Sequence, residues 1–317
     1  MFALERRHYL NRNVEHSLTR RAFTQNGILF MLAGAMGAGE QTEAAAAFAA
    51  GPELQIGYIT DVHYADTDDR GARNYRDSLP KMEAAVDRLN RHKLSFVVHG
   101  GDLIDALADP TPESERLFLK RIDREFARIK ADRHYVMGNH CIFSLTKPEY
   151  LETIGKPKSY YSFDQGRFHF VVLDACYRKD GVAYGRRNFD WTDTEIPAPE
   201  REWLAADLNA THRKTIVFAH QRLDKPVGNE EGVHSSAAVR EILERSGKVQ
   251  TVFMGHSHVN DYRTINGIHY CTLDAVIGGL GELSNAYSVI EIYRDGSIKL
   301  DGFCKHAANP LNTRPHG

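Results

Sequence analysis

The chain has 317 residues, 40 Lys and Arg against 42 Asp and Glu, a formal net charge of −2 and 42% hydrophobic residues. That balance supports a full core in one large domain or two small ones, and it excludes the strongly basic profile of a nucleic-acid-binding surface. The four cysteines (Cys141, Cys176, Cys271 and Cys304) contain no CxxC pair, which excludes zinc-ribbon and thioredoxin-like patterns and leaves them as small buried hydrophobes.

Residues 1–50 read as a segment of their own. Arg20 and Arg21, with Thr19 before and Phe23 after, resemble a twin-arginine export motif. Residues 28–39 are apolar but too short and glycine-rich for a stable membrane span. Ala47, Phe48 and Ala49 then offer a small-x-small cleavage site. These parts, in that order, predict a twin-arginine signal peptide over 1–50 and a domain over 51–317. The precursor would then use the twin-arginine export machinery and the mature chain, without a stable membrane span, would be periplasmic or extracellular. The alternative is a helical or disordered extension on a cytoplasmic protein.

From residue 54 onward one pattern recurs. The apolar run LQIGYIT ends in Asp61-Val62-His63, and a helical pattern covers 75–92. LSFVVH ends in Gly100-Gly101-Asp102, followed by a helical pattern over 113–130. RHYVM ends in Gly138-Asn139-His140. After a long insertion at 177–199 and a helical pattern at 200–209, TIVFA ends in His220. A last helical pattern at 234–246 precedes TVFM, which ends in Gly255-His256-Ser257-His258. Short β-branched and aromatic runs read as buried strands. Strands alternating with helices predict a layered α/β fold, whose ligands bind beyond the carboxyl ends of the strands. Residues i and i+2 of an extended segment point to the same side, so His256 and His258 can converge on one spot. The glycine before them permits a sharp turn.

Five strand ends carrying Asp, Asn or His predict one polynuclear metal site. Two carboxylates, one carboxamide and several imidazoles, with no thiolate motif, suit Mn, Fe or Zn rather than Ca²⁺ or Cu(I). About seven ligands exceed the needs of one catalytic ion and match two, and a carboxylate can bridge a pair about 3.5–4 Å apart. Two divalent ions carry more positive charge than Asp61, Asp102 and a bridging hydroxide offset, which favours a small anionic, phosphorylated substrate.

The ordered blocks D-x-H, G-D, G-N-H, H and G-H-x-H resemble the calcineurin-like metallophosphoesterase superfamily, over most of residues 54–300. The resemblance implies a four-layer α-β-β-α sandwich of two mixed β-sheets with the metal site at the C-terminal ends of the strands. Segments 160–164, 168–174, 268–273, 287–293 and 297–303 would fit the second sheet. It implies that Asp61, His63, Asp102 and His258 hold one ion, that Asp102, Asn139, His220 and His256 hold the other, and that Asp102 bridges them. A bridging hydroxide would attack phosphorus, and His140 would protonate the leaving group or stabilise charge. The stretches DVHYADTDDRGARNYRDSL and GGDLID also resemble the manganese-dependent ADP-ribose/CDP-alcohol diphosphatase branch. The chain departs from that branch at His63, where Gln is common, and at Cys141, where an acidic residue is common. The expected activity is hydrolysis of phosphoester or diphosphate bonds. The alternatives are a nucleoside-diphosphate-linked pyrophosphatase and a non-catalytic metal-binding relative, against which every ligand position being filled argues.

Arg73, Tyr75 and Arg76 open the first helical pattern beside the first metal loop. They read as a clamp for a second phosphate or a stacking surface for a base, or else as an exposed cationic turn. Asp105 reads as a cap or loop acceptor. The 177–199 insertion and the 222–234 segment read as pocket walls or surface excursions. CTLDAVIGGLGE lacks phosphate-loop spacing and reads as strand and turn.

Overall fold

The structure is a computed structural model and describes residues 22–25, 28–32 and 47–308. Arg20 and Arg21 lie outside the described residues, as do residues 33–46 of the N-terminal segment. In chain order the first strands are β1 (Ala22–Gln25), β2 (Ile28–Met31), β3 (Leu54–Ile59), β4 (Phe96–His99), β5 (Asp132–Tyr135), β6 (Tyr161–Gln165) and β7 (Phe168–Val172). They are followed by β8 (Lys214–Phe218), β9 (Val249–Met254), β10 (Asp261–Ile265), β11 (Ile268–Thr272), β12 (Ala286–Ile292) and β13 (Ile298–Cys304). The main helices are α1 (Ser78–Leu89), α2 (Pro112–Phe126), α3 (Lys147–Thr153), α4 (Ala198–Ala210) and α5 (Ser236–Ser246).

Two sheets result, ordered β1-β2-β13-β12-β3-β4-β5 and β10-β11-β9-β8-β7-β6. The strands β3, β4 and β5 run parallel in the first, and β7, β8, β9 and β11 in the second, with antiparallel strands at their flanks. Apart from β5 (DRHY) at the sheet edge, strands in such positions are covered on both faces and read as largely apolar runs. Their alternate residues still separate by face. Phe96 and Val98 join Phe170, Phe218 and Phe253 in the core between the sheets, while Val97 packs with Met82, Leu119 and Phe126 beneath α1 and α2. On the other side, Val171, Val217 and Val252 pack with Leu204, Leu208, Val239 and Leu243 of α4 and α5. The layers are therefore α-β-β-α, and fully burying each such side chain contributes about 1.5–3 kcal/mol.

Several elements differ from the sequence reading. Residues 287–293 and 297–303, expected in the second sheet, form β12 and β13 of the first. Strand β12 pairs antiparallel with β3 from Tyr287↔Ile59 to Ile292↔Leu54, capping the open edge of the parallel strands. Helix α1 starts at Ser78 rather than 75, because the Ser78 and Leu79 amides donate back to the carbonyls of Tyr75 and Arg76 in a preceding turn. Helix α3 was not foreseen, although Thr146 and Glu149 form a reciprocal capping box around Pro148. Within the segment read as the apolar part of an export signal, Ile28–Met31 pairs with β13 and places Leu29 and Met31 in the inter-sheet core. Among the described residues no helix is long and apolar enough to cross a membrane.

Candidate metal centre

The turns after β3, β4, β5, β8 and β9 meet at one edge of the sandwich and bring all seven expected ligands together. Asp61, His63, Asp102, His256 and His258 have φ between 49° and 71°, the left-handed region that side chains rarely adopt. Each such residue costs about 1–3 kcal/mol unless its surroundings hold it. Here the turns lace into one another. Asp61 N–H donates to Gly101 O (3.0 Å), His63 N–H to Asp102 O (2.9 Å) and Gly255 N–H to His220 O (3.1 Å). The neighbouring glycines make room: a Cβ at Gly138 would collide with the Asp102 carboxylate, and one at Gly255 with the Asp61 carboxylate.

The donor atoms fall into adjoining sets. Asp61, His63 and His258 converge in one, and Asp102, His220 and His256 in another, with the atoms of each set within 4.8 Å of one another. His258 Nε2 lies 3.2 Å from Asp61 Oδ1 and 3.0 Å from His63 Nε2. Asp102 stands between the sets: its Oδ2 is 3.0 Å from His220 Nε2 and 3.5 Å from His63 Nε2. Its Oδ1 instead accepts the His140 backbone N–H at 2.8 Å, which fixes the carboxylate plane.

The residues fit a pair of cations. Asn139 Oδ1 and His256 Nε2 are buried without a hydrogen-bond partner among the described residues, a costly state unless such atoms serve a cation. The outer nitrogens are tied so that the inner ones face the centre. His220 Nδ1 bonds Gly100 O at 2.9 Å, and His63 Nδ1 lies 3.2 Å from Asp105 Oδ2. Burial opposes charge on Asp102, but His220 and His140 outweigh it and hold that carboxyl well below the usual range. Burial likewise opposes charge on Asp61, and His220 outweighs it. Burial lowers His220 as well, yet the Asp102 and Asp61 carboxylates prevail and raise it to about 9. Burial, with His220 beside it, pushes His256 down to about 3, leaving a neutral donor. Two carboxylates thus stay charged in a buried place, as a cation-binding centre requires.

Asp105 has a larger role than a loop cap. Its Oδ1 pairs with His140 Nδ1 at 2.8 Å, and its Oδ2 with His63 Nδ1 at 3.2 Å and Arg73 Nη1 at 2.5 Å. One buried carboxylate therefore orients an expected ligand, the expected proton donor and a cation of the cleft. The cleft above the centre has a volume of about 580 Å³ and is lined by Arg70, Arg73, Tyr75, His140, Trp191 and Glu231 beside the ligands. Arg76 is not brought there: it pairs with Asp66 at 2.6 Å and Asp68 at 2.7 Å, both exposed. Arg70, Trp191 and Glu231 were missed individually, although Trp191 comes from the 177–199 insertion and Glu231 from the 222–234 segment. The Trp191 ring lies 5.7 Å from the His256 ring and is 44% exposed, an apolar wall over the metal face.

A four-layer sandwich whose strand ends present two adjoining oxygen and imidazole ligand sets, joined by one carboxylate, defines a dinuclear metallophosphoesterase. The model of the calcineurin-like phosphoesterases matches residues 54–260, and the chain belongs to that family. The manganese-dependent ADP-ribose/CDP-alcohol diphosphatase of Danio rerio is 30% identical over 309 residues, covering 78% of this chain and 94% of that protein. Its Arabidopsis thaliana counterpart is 26% identical over 280 residues, covering 71% and 87%. The crystal structure of a dimetal phosphatase from Danio rerio shares the fold, with a TM-score of 0.65 and 22% identity over 77% of this chain and 94% of that one. The protein is thus a metal-dependent phosphoesterase that uses two divalent ions.

Proposed function

We propose that the enzyme hydrolyses diphosphate linkages of the nucleoside-diphosphate type in preference to simple phosphomonoesters. The observation that carries this is the near full-length similarity to the Danio rerio diphosphatase, 94% of which is covered. The cleft supports it, since Arg70 and Arg73 stand beside the ligands where a second phosphoryl group would lie.

When bound, two divalent ions polarise phosphoryl oxygens and lower the pKa of water. The chain's own residues do the rest. Asp102 fixes the spacing of the two ligand sets through one oxygen. Arg73, held by Asp105, faces the cleft with the remainder of its guanidinium and neutralises phosphoryl charge. His140 gives its Nδ1 to Asp105 and turns Nε2 to the cleft, where a proton on Nε2 can pass to the departing oxygen.

The test is a panel of ADP-ribose, a CDP-alcohol and 4-nitrophenyl phosphate with manganese. The diphosphates should exceed the monoester in kcat/KM by about tenfold or more, the equivalent of one good polar contact of about 1.4 kcal/mol. Equal or higher efficiency on the monoester overturns the reading.

The N-terminal segment supports a second proposal, export of the precursor through the twin-arginine route. That machinery carries folded chains, so the metal centre would be assembled before crossing. Cleavage near Ala49 would remove β1 and β2 and uncover the outer edge of β13. Replacing Arg20 and Arg21 together with Lys should retain the protein inside the cell, measured by fractionation. Unchanged export and processing of the double variant would exclude the route.

A further inference from the structure

In the sequence Thr60 is only the last residue of the apolar run that leads to Asp61. The fold gives its hydroxyl a specific partner. Thr60 is fully buried, and its carbonyl accepts the Val276 N–H at 3.2 Å, which pins the backbone. Its Oγ1 donates to Asp61 Oδ2 at 2.6 Å, the length of a charge-assisted O–H···O⁻ bond. The His256 backbone N–H lies 3.1 Å from the same oxygen and 3.3 Å from Oδ1.

The two oxygens of Asp61 therefore face different surroundings. His258, His63 and His220 all approach this carboxylate most closely at Oδ1, with their Nε2 atoms at 3.2, 3.6 and 3.9 Å. Oδ2 lies on the Thr60 hydroxyl instead. Asp102 follows the same plan: Oδ1 is held by the His140 N–H at 2.8 Å, and Oδ2 stands 3.0 Å from His220 Nε2. The two carboxylates differ in what holds the outer oxygen. For Asp102 it is a backbone amide, whereas for Asp61 a side-chain hydroxyl makes the shorter bond.

Two glycines of the ligand motifs leave room for that hydroxyl. A Cβ at Gly255 would collide with both Thr60 Oγ1 and Asp61 Oδ2, and one at Gly100 would collide with Thr60 Oγ1. A β-branched side chain has few χ1 choices, so once the backbone is pinned the hydroxyl direction is set with little entropy left to lose. Asp61 converges with His63 and His258, while Asp102 stands with His220 and His256 as well as beside His63. Disturbing Asp61 alone should therefore act on one ion of the pair.

We infer that Thr60 is a positioning residue for the ion assigned to Asp61, His63 and His258: its hydroxyl ties back one oxygen of Asp61 so that the other is presented to the centre. The inference concerns the assembly of the two-ion centre and is independent of which phosphorylated compound is the substrate.

The test is manganese binding to the chelator-treated full chain, with free ion measured by electron paramagnetic resonance, for wild type and for Thr60→Val, Thr60→Ala and Thr60→Ser. Val keeps the shape and removes the hydroxyl; Ser keeps the hydroxyl. Loss of an orienting partner typically costs about 10–100-fold in metal affinity. Thr60→Val should raise the product of the two dissociation constants by about that factor. At a manganese concentration that just fills both wild-type sites, it should retain one ion. Thr60→Ser should bind as the wild type does. If the metal-free Thr60→Val protein melts differently from the wild type, Thr60→Ala decides in its place. Wild-type binding by the hydroxyl-free variant would overturn the role. So would a Thr60→Ser protein as impaired as Thr60→Val, which would make the residue a matter of packing. Loss of both ions together would overturn it as well, since that marks a loosened turn rather than one misplaced carboxylate.

Discussion

Asp102→Asn should lower kcat by about 10³-fold or more and leave fewer than two ions per chain. Asp102 is the only expected ligand assigned to both ions, and its geometry explains the size of the effect. Its Oδ1 is occupied by the His140 N–H, so Oδ2 alone lies between His220 and His63, one from each ligand set. An amide in that place removes a full negative charge from between two dications and offers a weaker donor. Losing several kcal/mol of charge stabilisation corresponds to about three powers of ten in rate. Asp105→Asn is the internal comparison. Asp105 touches no expected metal position directly but orients His63 and His140, and loss of such an outer partner typically costs about 10–100-fold. Metal analysis and kinetics on both variants check the ranking. Equal losses would mean that Asp102 acts through general electrostatics rather than as a bridge.

His140→Ala should cost about 10²–10⁴-fold on a substrate with an alkyl leaving group, the usual contribution of general acid catalysis. The loss should be clearly smaller on a nitrophenyl ester, whose leaving group needs no proton. The imidazole lines the cleft beside the candidate metal centre. Asp105 Oδ1 holds Nδ1 at 2.8 Å, and the side chain keeps 27% exposure on the cleft. His140 also lies close to His63 and Asp102, all three offering atoms within 4.8 Å of one another. Metal content therefore has to be measured with the leaving-group series. Unchanged metal with a graded loss supports the proton donor. A uniform loss assigns His140 to stabilising phosphoryl charge, and a fall in bound metal makes it a ligand.

The clustering of the candidate ligands was legible in the sequence because each follows a strand, where an apolar run ending in Asp, Asn or His is conspicuous. The topology places those ends together without further information. What was not legible depends on contacts across the chain. Asp105 looks like a loop acceptor at three residues from Asp102. Its value arises because the loop folds back, with Asp105 N–H on Tyr64 O, and presents the carboxylate to His63, His140 and Arg73 at once. Arg73 and Arg76 read alike in sequence. The acidic pair Asp66 and Asp68 captures only Arg76 and draws it away from the cleft. Trp191 and Glu231 arrive on long segments without periodicity, so only the closed fold shows that both line the cleft. The pattern of 287–303 told strand from helix, but not which sheet had an open edge. Pairing with β3 decided that.

The central claim is that one chain assembles two ions across a single carboxylate. The direct measurement is a titration of chelator-treated protein with manganese, following activity and bound metal together. Activity should rise to its maximum only as the second equivalent binds, and a second chelation should abolish it. Full activity at one bound equivalent per chain would contradict the two-ion centre and the role assigned to Asp102.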